Sequence, residues 1–586
     1  MDQKCRLFKG PEQFAGEKWG NILSLSEFDG FTRESLKSIC VPEAQPPQYN
    51  GGIIENPSFD FGLEKWKAFG SAKVEPRKSK AGNPFLVALD RKNPTDSVYH
   101  WVDLKNDTIY AFSAWLQVDK GSELVSTYYT GLDNRSTIIG STIAKSGCWS
   151  QLKGGFTPNE DTNNTDAELW VDSVSLKPFT MMEWQAHQNK TIDQFRKRTI
   201  RIHVSTREGK KLCGGKVSIR QTRPKFVIGS GTPESIVTHK KYQDYFVRRF
   251  TAATFHNEMK WYFTETYPDV ENYTVPDAMA SFFRAHRIPI RGHTILWAST
   301  NLTQYWVKRL SPPDILKAAV RRVGSVVSRY SPDVIGWDVM NENLHNSFYE
   351  QNLGPNASAM FYQIVHALDL GKPLFLNEYN TIELPADFDV IPAKYVDKIR
   401  ETKAFPGNEQ LKVYVGLQGH FFRRPMVSYI RAVLDTLGAT GSPIWITELD
   451  TRRGPTQAPY LEEVMREAYS HPAVEGIIVW GGWKPTGCNQ TCLEDTNYYT
   501  LPTGCSVMCL VDNNFRNLPP GDVVDKLIHE WKSNVDGVTD GNGVFQQRVF
   551  LGSYKLRFEH PDVKGTVKRR FNVTVGERDL EFKLCI

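Results

Sequence analysis

The chain has 586 residues, which at roughly 150 residues per domain is enough for about four domains. Hydrophobic residues at 40% and charged residues at 23% give a globular balance that excludes disordered and collagen-like chains, and no apolar run approaches the ~18 residues of a membrane span. Lys+Arg 71 against Asp+Glu 66 leaves +5 with no basic run, so no nucleic-acid partner is expected, while aromatic residues at 12% suit either stacking on sugar rings or a ring-rich core.

In chain order, residues 1–50 are expected to form a poorly ordered N-terminal extension. From 51 to 179, short alternating runs such as 85–89, 108–112 and 169–174 are separated by turn residues every ten or so positions, a rhythm that predicts a jelly-roll-like β-sandwich. A polar helix over 180–198 contains Trp184 and Phe195 and reads as a spacer. Two strands follow, near 199–204 and 215–219, with a turn at Glu208-Gly209.

Between 223 and 536 the text changes, because apolar β-type runs alternate with amphipathic segments such as 311–330 and 460–471. The runs lie near 226–228, 252–255, 288–290, 334–337, 374–376, 413–415, 444–446 and 477–480. Eight β-α alternations predict a (β/α)8 TIM barrel. Polar residues follow most of these strands, so Asn257, Lys260, His293, Asn341, Glu342, Glu378, Gln418, His420 and Glu448 fall on the C-terminal rim, where such barrels carry active sites.

The final segment, 537–586, returns to β text after the turn Thr539-Asp540-Gly541-Asn542-Gly543 and is too short for a core of its own. Residues 199–222 hold two strands with no sheet to join. Each lacks what the other has, so 199–222 and 537–586 are expected to complete one small discontinuous sandwich around the barrel, with Cys213 approaching Cys585. A strand pair, then Thr-Asp-x-x-Gly, then Gly-x-Tyr is similar to the prealbumin-like accessory sandwiches of secreted hydrolases.

Two segments carry the chemistry: Trp337-Asp338-Val339-Met340-Asn341-Glu342-Asn343 and Trp445-Ile446-Thr447-Glu448-Leu449-Asp450. Each ends a buried strand in a carboxylate at a rim expected to be solvated. Paired carboxyl groups break glycosidic bonds, one protonating the leaving oxygen while the other attacks carbon or activates water. One such Glu would read as a helix N-terminal charge. Two of them, on strands four and seven of eight, read as a pair.

Residues 224–530 resemble a glycoside hydrolase family 10 endo-β-1,4-xylanase, on Asn257-Glu258-Met259-Lys260-Trp261, Arg291-Gly292-His293, Trp337-Asp338-Val339-Met340-Asn341-Glu342, Gly416-Leu417-Gln418-Gly419-His420 and Thr447-Glu448-Leu449-Asp450. The subtype resembled is the plant one, in which a carbohydrate-binding module precedes the barrel. The resemblance implies Glu342 as acid/base and Glu448 as nucleophile of a retaining mechanism on xylan, with no cofactor and no metal. Asn341 can hydrogen-bond a sugar 2-OH, and His420 can orient the nucleophile and keep it ionised. Lys260, His293, Gln418 and the indoles of Trp297 and Trp480 are candidates to hold sugars on the non-reducing side and Asn257 is a further substrate-binding candidate; a core histidine is the lesser alternative for His293, and Asp450 reads equally as a structural residue. His256 and Ala298 depart from a Glu and a His usual in the family, and Gly481-Gly482-Trp483-Lys484 replaces its common loop after strand eight. A xylan transglycosylase or a catalytically silent wall-binding protein are the alternative readings.

Residues 51–179 resemble a family 22 carbohydrate-binding module at Gly51-Gly52-Ile53-Ile54-Glu55-Asn56-Pro57 and Trp170-Val171-Asp172-Ser173-Val174. Trp66, Tyr128, Tyr129 and Trp149 are candidate stacking residues, although core packing is the better reading for any one of them. The segment from Pro485 through Cys488 and Cys492 recurs seventeen residues later through Cys505 and Cys509, and these two Cys-x3-Cys pairs could bind zinc or oxidise to disulfides, the latter favoured for a secreted enzyme. Sequons at Asn106, Asn134, Asn163, Asn189, Asn272, Asn301, Asn356, Asn489 and Asn572 point to a secreted, cell-wall glycoprotein, although Met1-Asp2-Gln3-Lys4 opens no apolar signal segment, and a monomer is expected.

Overall fold

The computed structural model of the protein describes residues 40–93, 95–130, 136–157, 169–494, 504–576 and 578–586. The expected loose extension lies outside the described residues over 1–39, but 40–50 correct it. Cys40–Val41 pairs antiparallel with Trp149 and Ser150, and Cys40 is disulfide-bonded to Cys148. A ladder and a covalent link together hold this segment in place.

The N-terminal module is built on a six-stranded sheet in the order Cys40–Val41, Trp149–Phe156, Ile109–Val118, Leu169–Phe179, Pro84–Leu89 and Lys73–Lys78. Its inner strands carry apolar side chains on both faces, since successive side chains alternate between them, whereas the edge strand Lys73–Lys78 is largely exposed. In Pro84–Leu89, Leu86 and Ala88 enter one cluster with Leu116, Leu152 and Phe156, while Phe85 and Val87 enter another with Trp115 and Trp149. Two separate ribbons, Trp66–Phe69 with Ser97–His100 and Ser122–Thr130 with Ser136–Lys145, complete it.

Helix Met181–Arg196 starts in a capping box, in which Glu183 accepts from the Thr180 backbone N–H at 2.7 Å and Thr180 Oγ1 accepts from that of Glu183 at 3.2 Å. The helix is more than a spacer. Trp184 is 4% exposed, and its indole and the Gln188 amide both donate to Glu467 Oε2, at 2.8 and 2.7 Å.

The barrel strands are β1 Val227–Thr232, β2 Ala253–Phe255, β3 Ile290–Gly292, β4 Val334–Asn341, β5 Leu374–Glu378, β6 Val413–Leu417, β7 Ile444–Thr451 and β8 Val474–Val479. Each of the eight apolar runs in the sequence became one strand. Neighbours pair around a closed ring, with β1 beside β8 and β3 beside β4. Between strands lie amphipathic helices. Pro312–Tyr330 begins with proline in its first turn, after Ser311, and buries Ile315, Ala319, Val323, Val326, Val327 and Tyr330 at helical spacing.

A separate unit takes strands from both flanks of the barrel sequence. One sheet has Lys197–Ser205 between Val544–Phe550 and Leu580–Cys585, and the other runs Asn534–Val538, Lys216–Pro224, Gly552–Glu559, Val567–Val573. Alternate residues Ile200, Ile202 and Val204, with Val217, Ile219, Tyr554, Leu556 and Phe558, form its core. The turn at 540–543 is made by Asp540, whose carboxylate accepts from the backbone of Asn542 and Val544, and by Gly543 at φ +70°, where a Cβ would meet the Val204 carbonyl at 2.7 Å. The expected Cys213–Cys585 approach is corrected. Cys213 is free, with its thiol 3.1 Å from the Gly541 carbonyl, whereas Cys585 is disulfide-bonded.

The four loop cysteines pair as Cys488–Cys509 and Cys492–Cys505. Each cysteine of one repeat joins the opposite cysteine of the other, so the duplicated segments meet as two self-complementary halves. No group of residues able to hold a metal ion occurs among the described residues.

Candidate active site

Glu342 directly follows the last residue of β4 at φ +56°, a left-handed conformation costly for a residue with a Cβ. Its backbone N–H donates to the Asn377 carbonyl at 2.9 Å, and its own carbonyl accepts from the backbone and side-chain amides of Asn346. These bonds turn the side chain at the strand end. Trp297 Nε1 donates to Glu342 Oε2 at 2.8 Å, and Gln418 Nε2 to Oε1 at 3.1 Å. Burial raises the Glu342 pKa, these two hydrogen bonds oppose the rise, and the charges of Glu378 and Glu448 add to it.

Glu448, in the middle of β7, is 6% exposed, so the expected solvated rim does not extend to it. The strand carries it inward among polar partners. Asn377 Nδ2 donates to its Oε1 at 2.9 Å, His420 Nε2 lies 3.6 Å from Oε2, and His293 Nε2 lies 4.0 Å from Oε1. Burial alone would raise the pKa of Glu448. His293, the hydrogen bond from His420 and the Lys260 ammonium outweigh it and hold the carboxyl well below the usual range. Two carboxyl groups on one rim thus sit in opposite electrostatic surroundings.

The ring of His420 is fixed from behind by Asp450, whose Oδ1 is 3.0 Å from Nδ1. Burial opposes its charge, yet Asp450 and Glu448 together raise its pKa well above the ordinary value. Asp450 therefore has a definite task. On the other flank, Asp338 binds Arg291 and accepts from His293 Nδ1 at 2.7 Å, all three being at most 1% exposed. Such a buried ion pair persists only when closely paired, and here it turns His293 Nε2 toward Glu448. Asn377 joins the halves, donating to Asn341 Oδ1 at 2.8 Å as well as to Glu448, and accepting from Thr447 Oγ1 at 2.6 Å.

A model of glycosyl hydrolase family 10 matches residues 219–503, and one of a carbohydrate binding domain matches residues 51–175. Endo-1,4-beta-xylanase 5 of Arabidopsis thaliana is 34% identical over 565 residues, covering 93% of both chains. The chain belongs to glycosyl hydrolase family 10. Endo-1,4-beta-xylanase 5-like of the same plant is 37% identical over 563 residues, covering 93% of this chain and 92% of that one, and Endo-1,4-beta-xylanase 4 is 36% identical over 504 residues, covering 82% and 85%.

The remaining candidates of this family 10 barrel gather on the same rim. Lys260 Nζ stands 4.6 Å from the Trp297 ring centre and 3.3 Å from Asn257 Oδ1, and burial lowers its pKa. Trp480 packs against His256 and His293, with ring centres 4.5 and 5.8 Å away. Trp297 and Gln418, expected only as sugar contacts, also touch the Glu342 carboxyl. Asn341 Nδ2 and His293 Nε2 have no hydrogen-bond partner among the described residues. At the two departures, burial holds His256 neutral with its pKa lowered to about 3, and buried Ala298 uses only its backbone, to Asn341 and Phe348. The unusual loop after β8 seats Trp483, 1% exposed, against His239, Tyr242 and Phe515.

Asn377, Asp338 and Arg291 were not singled out for a role in the sequence. Asn377 had a signal, being a polar residue in the inward text Leu374-Phe375-Leu376-Asn377 of a barrel strand. In the module, Trp66 and Trp149 are 7% and 2% exposed, and the Tyr129 ring stacks on Phe156, so these three are core. The exposed rings lie elsewhere. On the ribbon Trp66–Phe69 with Ser97–His100, Trp66 and His100 point inward while Phe69 and Tyr99 point outward and continue to Trp101, which is 71% exposed.

Proposed function

We propose that this protein is a retaining endo-1,4-β-xylanase that cuts internal bonds of xylan. The observation that carries the reading is the opposed pair on β4 and β7: Glu342 favours its proton, and Glu448 gives its proton up. In the first step Glu448 attacks the anomeric carbon while Glu342 protonates the departing glycosidic oxygen, leaving a glycosyl ester on Glu448. In the second, Glu342, now ionised, takes a proton from water as the water attacks the same carbon and frees Glu448. His420 and His293 hold the Glu448 charge, and the free Asn341 amide suits the 2-OH of the sugar at the reacting centre.

Xylan as substrate is supported by the names of the Arabidopsis relatives. The outward rings of Phe69, Tyr99 and Trp101 are the module's candidate face for the same polysaccharide, since aromatic rings in place of polar ones on a solvated ribbon suit stacking on sugars. Nine sequons and the disulfides favour a secreted wall glycoprotein. Incubation with xylan tests the reading. New reducing ends are expected, while unchanged reducing ends with redistributed chain lengths would mean transglycosylation, and binding alone would mean a silent wall protein.

A further inference from the structure

The basic charge of the chain is concentrated in the small unit whose strands come from both flanks of the barrel sequence. Over 197–224 and 534–586 it holds 18 Lys and Arg against 8 Asp and Glu, an excess of ten in a chain whose whole excess is five. The remainder is therefore net acidic. The two sheets of the unit carry their charge differently. On the sheet of Lys197–Ser205, Val544–Phe550 and Leu580–Cys585, three basic side chains are each held by a carboxylate: Arg201 lies 2.8 Å from Asp579, His203 binds Glu581, and Arg548 lies 2.8 Å from Asp193.

The four-stranded sheet is the opposite case. Alternate residues of Lys216–Pro224, Gly552–Glu559 and Val567–Val573 send Val217, Ile219, Leu556, Phe558 and Phe571 into the core and leave Arg220, Lys555, Arg557, Lys568 and Arg570 on the exposed face. The register sets like charges directly opposite one another: Lys555 stands between Arg220 and Arg570, and Arg557 faces Lys568. With strands about 4.8 Å apart and alternate residues about 7 Å apart, the five cations occupy roughly 10 by 7 Å. Like charges in directly opposed positions destabilise a sheet. Asp536 takes Arg220 at 2.6 Å and Glu559 lies 3.6 Å from Arg557, but Lys555, Lys568 and Arg570 pair with no carboxylate among the described residues. Nothing within the unit offsets their repulsion, so an anion from outside would relieve it.

We propose that this sheet face docks a polyuronate, a polysaccharide with a carboxylate on every sugar. Sparse acidic side groups on a neutral chain would meet one or two of the five cations, whereas carboxylates on successive sugars can meet a whole row. Exposed charges of one sign act together within a Debye length of about 8–10 Å, which is the size of this cluster. A polymer held there retains the protein in an acidic matrix through residues that take no part in the cleft. The choice of a polysaccharide over a nucleic acid rests on the secreted wall-protein reading above, and the docking itself is independent of the hydrolase reading.

The test passes the full-length protein over immobilised polygalacturonate, its fully methyl-esterified form and duplex DNA. Polygalacturonate should retain it at about 50 mM salt and release it at about 500 mM, and the neutral ester should not retain it. Lys555→Gln, Lys568→Gln and Arg570→Gln together should weaken binding about 10-fold. Removing three charges from the other sheet, by Arg201→Gln, Arg548→Gln and Lys583→Gln, should weaken it no more than about twofold. Equal losses in the two triple variants would reduce the effect to net charge, equal retention by the ester would remove the role of the carboxylates, and tighter retention by DNA would make the face a nucleic-acid surface; each result overturns the proposal. If the first triple variant does not fold, polygalacturonate must raise the urea midpoint of the unaltered protein while the ester leaves it in place, and equal midpoints refute the docking. Xylan cleavage is scored separately on the unaltered protein, so failure of the hydrolase reading would leave this result standing.

Discussion

The indole Nε1 of Trp297 donates to Oε2 of Glu342 at 2.8 Å, which makes a ring expected to serve sugar alone a regulator of the proton donor. A donor aimed at a carboxyl oxygen favours its ionised form, so Trp297 restrains the rise that burial causes. Trp297→Phe keeps most of the ring and removes the N–H. The alkaline limb of activity should then move to higher pH, because one of the bonds that favour the ionised form is gone. A limb that stays in place, measured as kcat/KM against pH, would show that the bond does not tune Glu342.

In the unaltered protein the two opposed shifts set a bell-shaped profile. Activity should be lost on the acid side as Glu448 takes a proton, well below the ordinary carboxylate value of about 4.3, and on the alkaline side as Glu342 loses its proton above that value. The limbs must exchange owners for the roles to be reversed. Glu342→Gln should abolish the alkaline limb for aryl glycosides with good leaving groups and leave the acid limb, and the opposite pattern would reverse the assignments.

Glu448→Gln replaces the attacking carboxylate with a neutral, weakly nucleophilic amide and should lower turnover by at least ~10⁴-fold. Azide added to Glu448→Ala should attack the vacated face and give an α-glycosyl azide, whereas with Glu342→Ala it should give the β product. Product anomers are read by proton NMR. An initial α product from the unaltered enzyme would mean inversion and a carboxyl gap near 6.5–9.5 Å rather than the 5–5.5 Å of a retaining pair.

The barrel was legible because each strand is a short apolar run ending in polar residues, a pattern set by burial of the whole strand and independent of its neighbours. The carboxylate pair was legible for the same reason, since strand ends define the rim. Side-chain partners were not. Asn377 is one amide in an apolar strand, and only the closed ring brings it within reach of Asn341 and Glu448 together. Trp66 and Phe69 are three residues apart on one ribbon, yet one is core and the other exposed, and the period-two alternation that separates them cannot say which face is inward. The helix over 180–198 read as a spacer because the partner of its Trp184, Glu467, lies 283 residues away in sequence.

That partner supports the last prediction. Glu467 is fully buried and accepts from Trp184 and Gln188 of the helix after the module and from Arg431 of helix Val427–Gly438. Arg431 also donates to Ser470 at 2.7 Å. A buried carboxylate with three donors is stable only as a set, because removing it strands a guanidinium and two N–H groups away from water. Glu467→Leu should therefore cost about 3–5 kcal/mol in urea unfolding, the range for breaking a buried pair. Glu467→Leu combined with Arg431→Met should cost less than the single change, since the double variant leaves no stranded charge. A single-variant cost below about 1 kcal/mol, or a double variant weaker than the sum of both singles, would mean that the cluster is hydrated in solution and does not fasten the helix to the barrel.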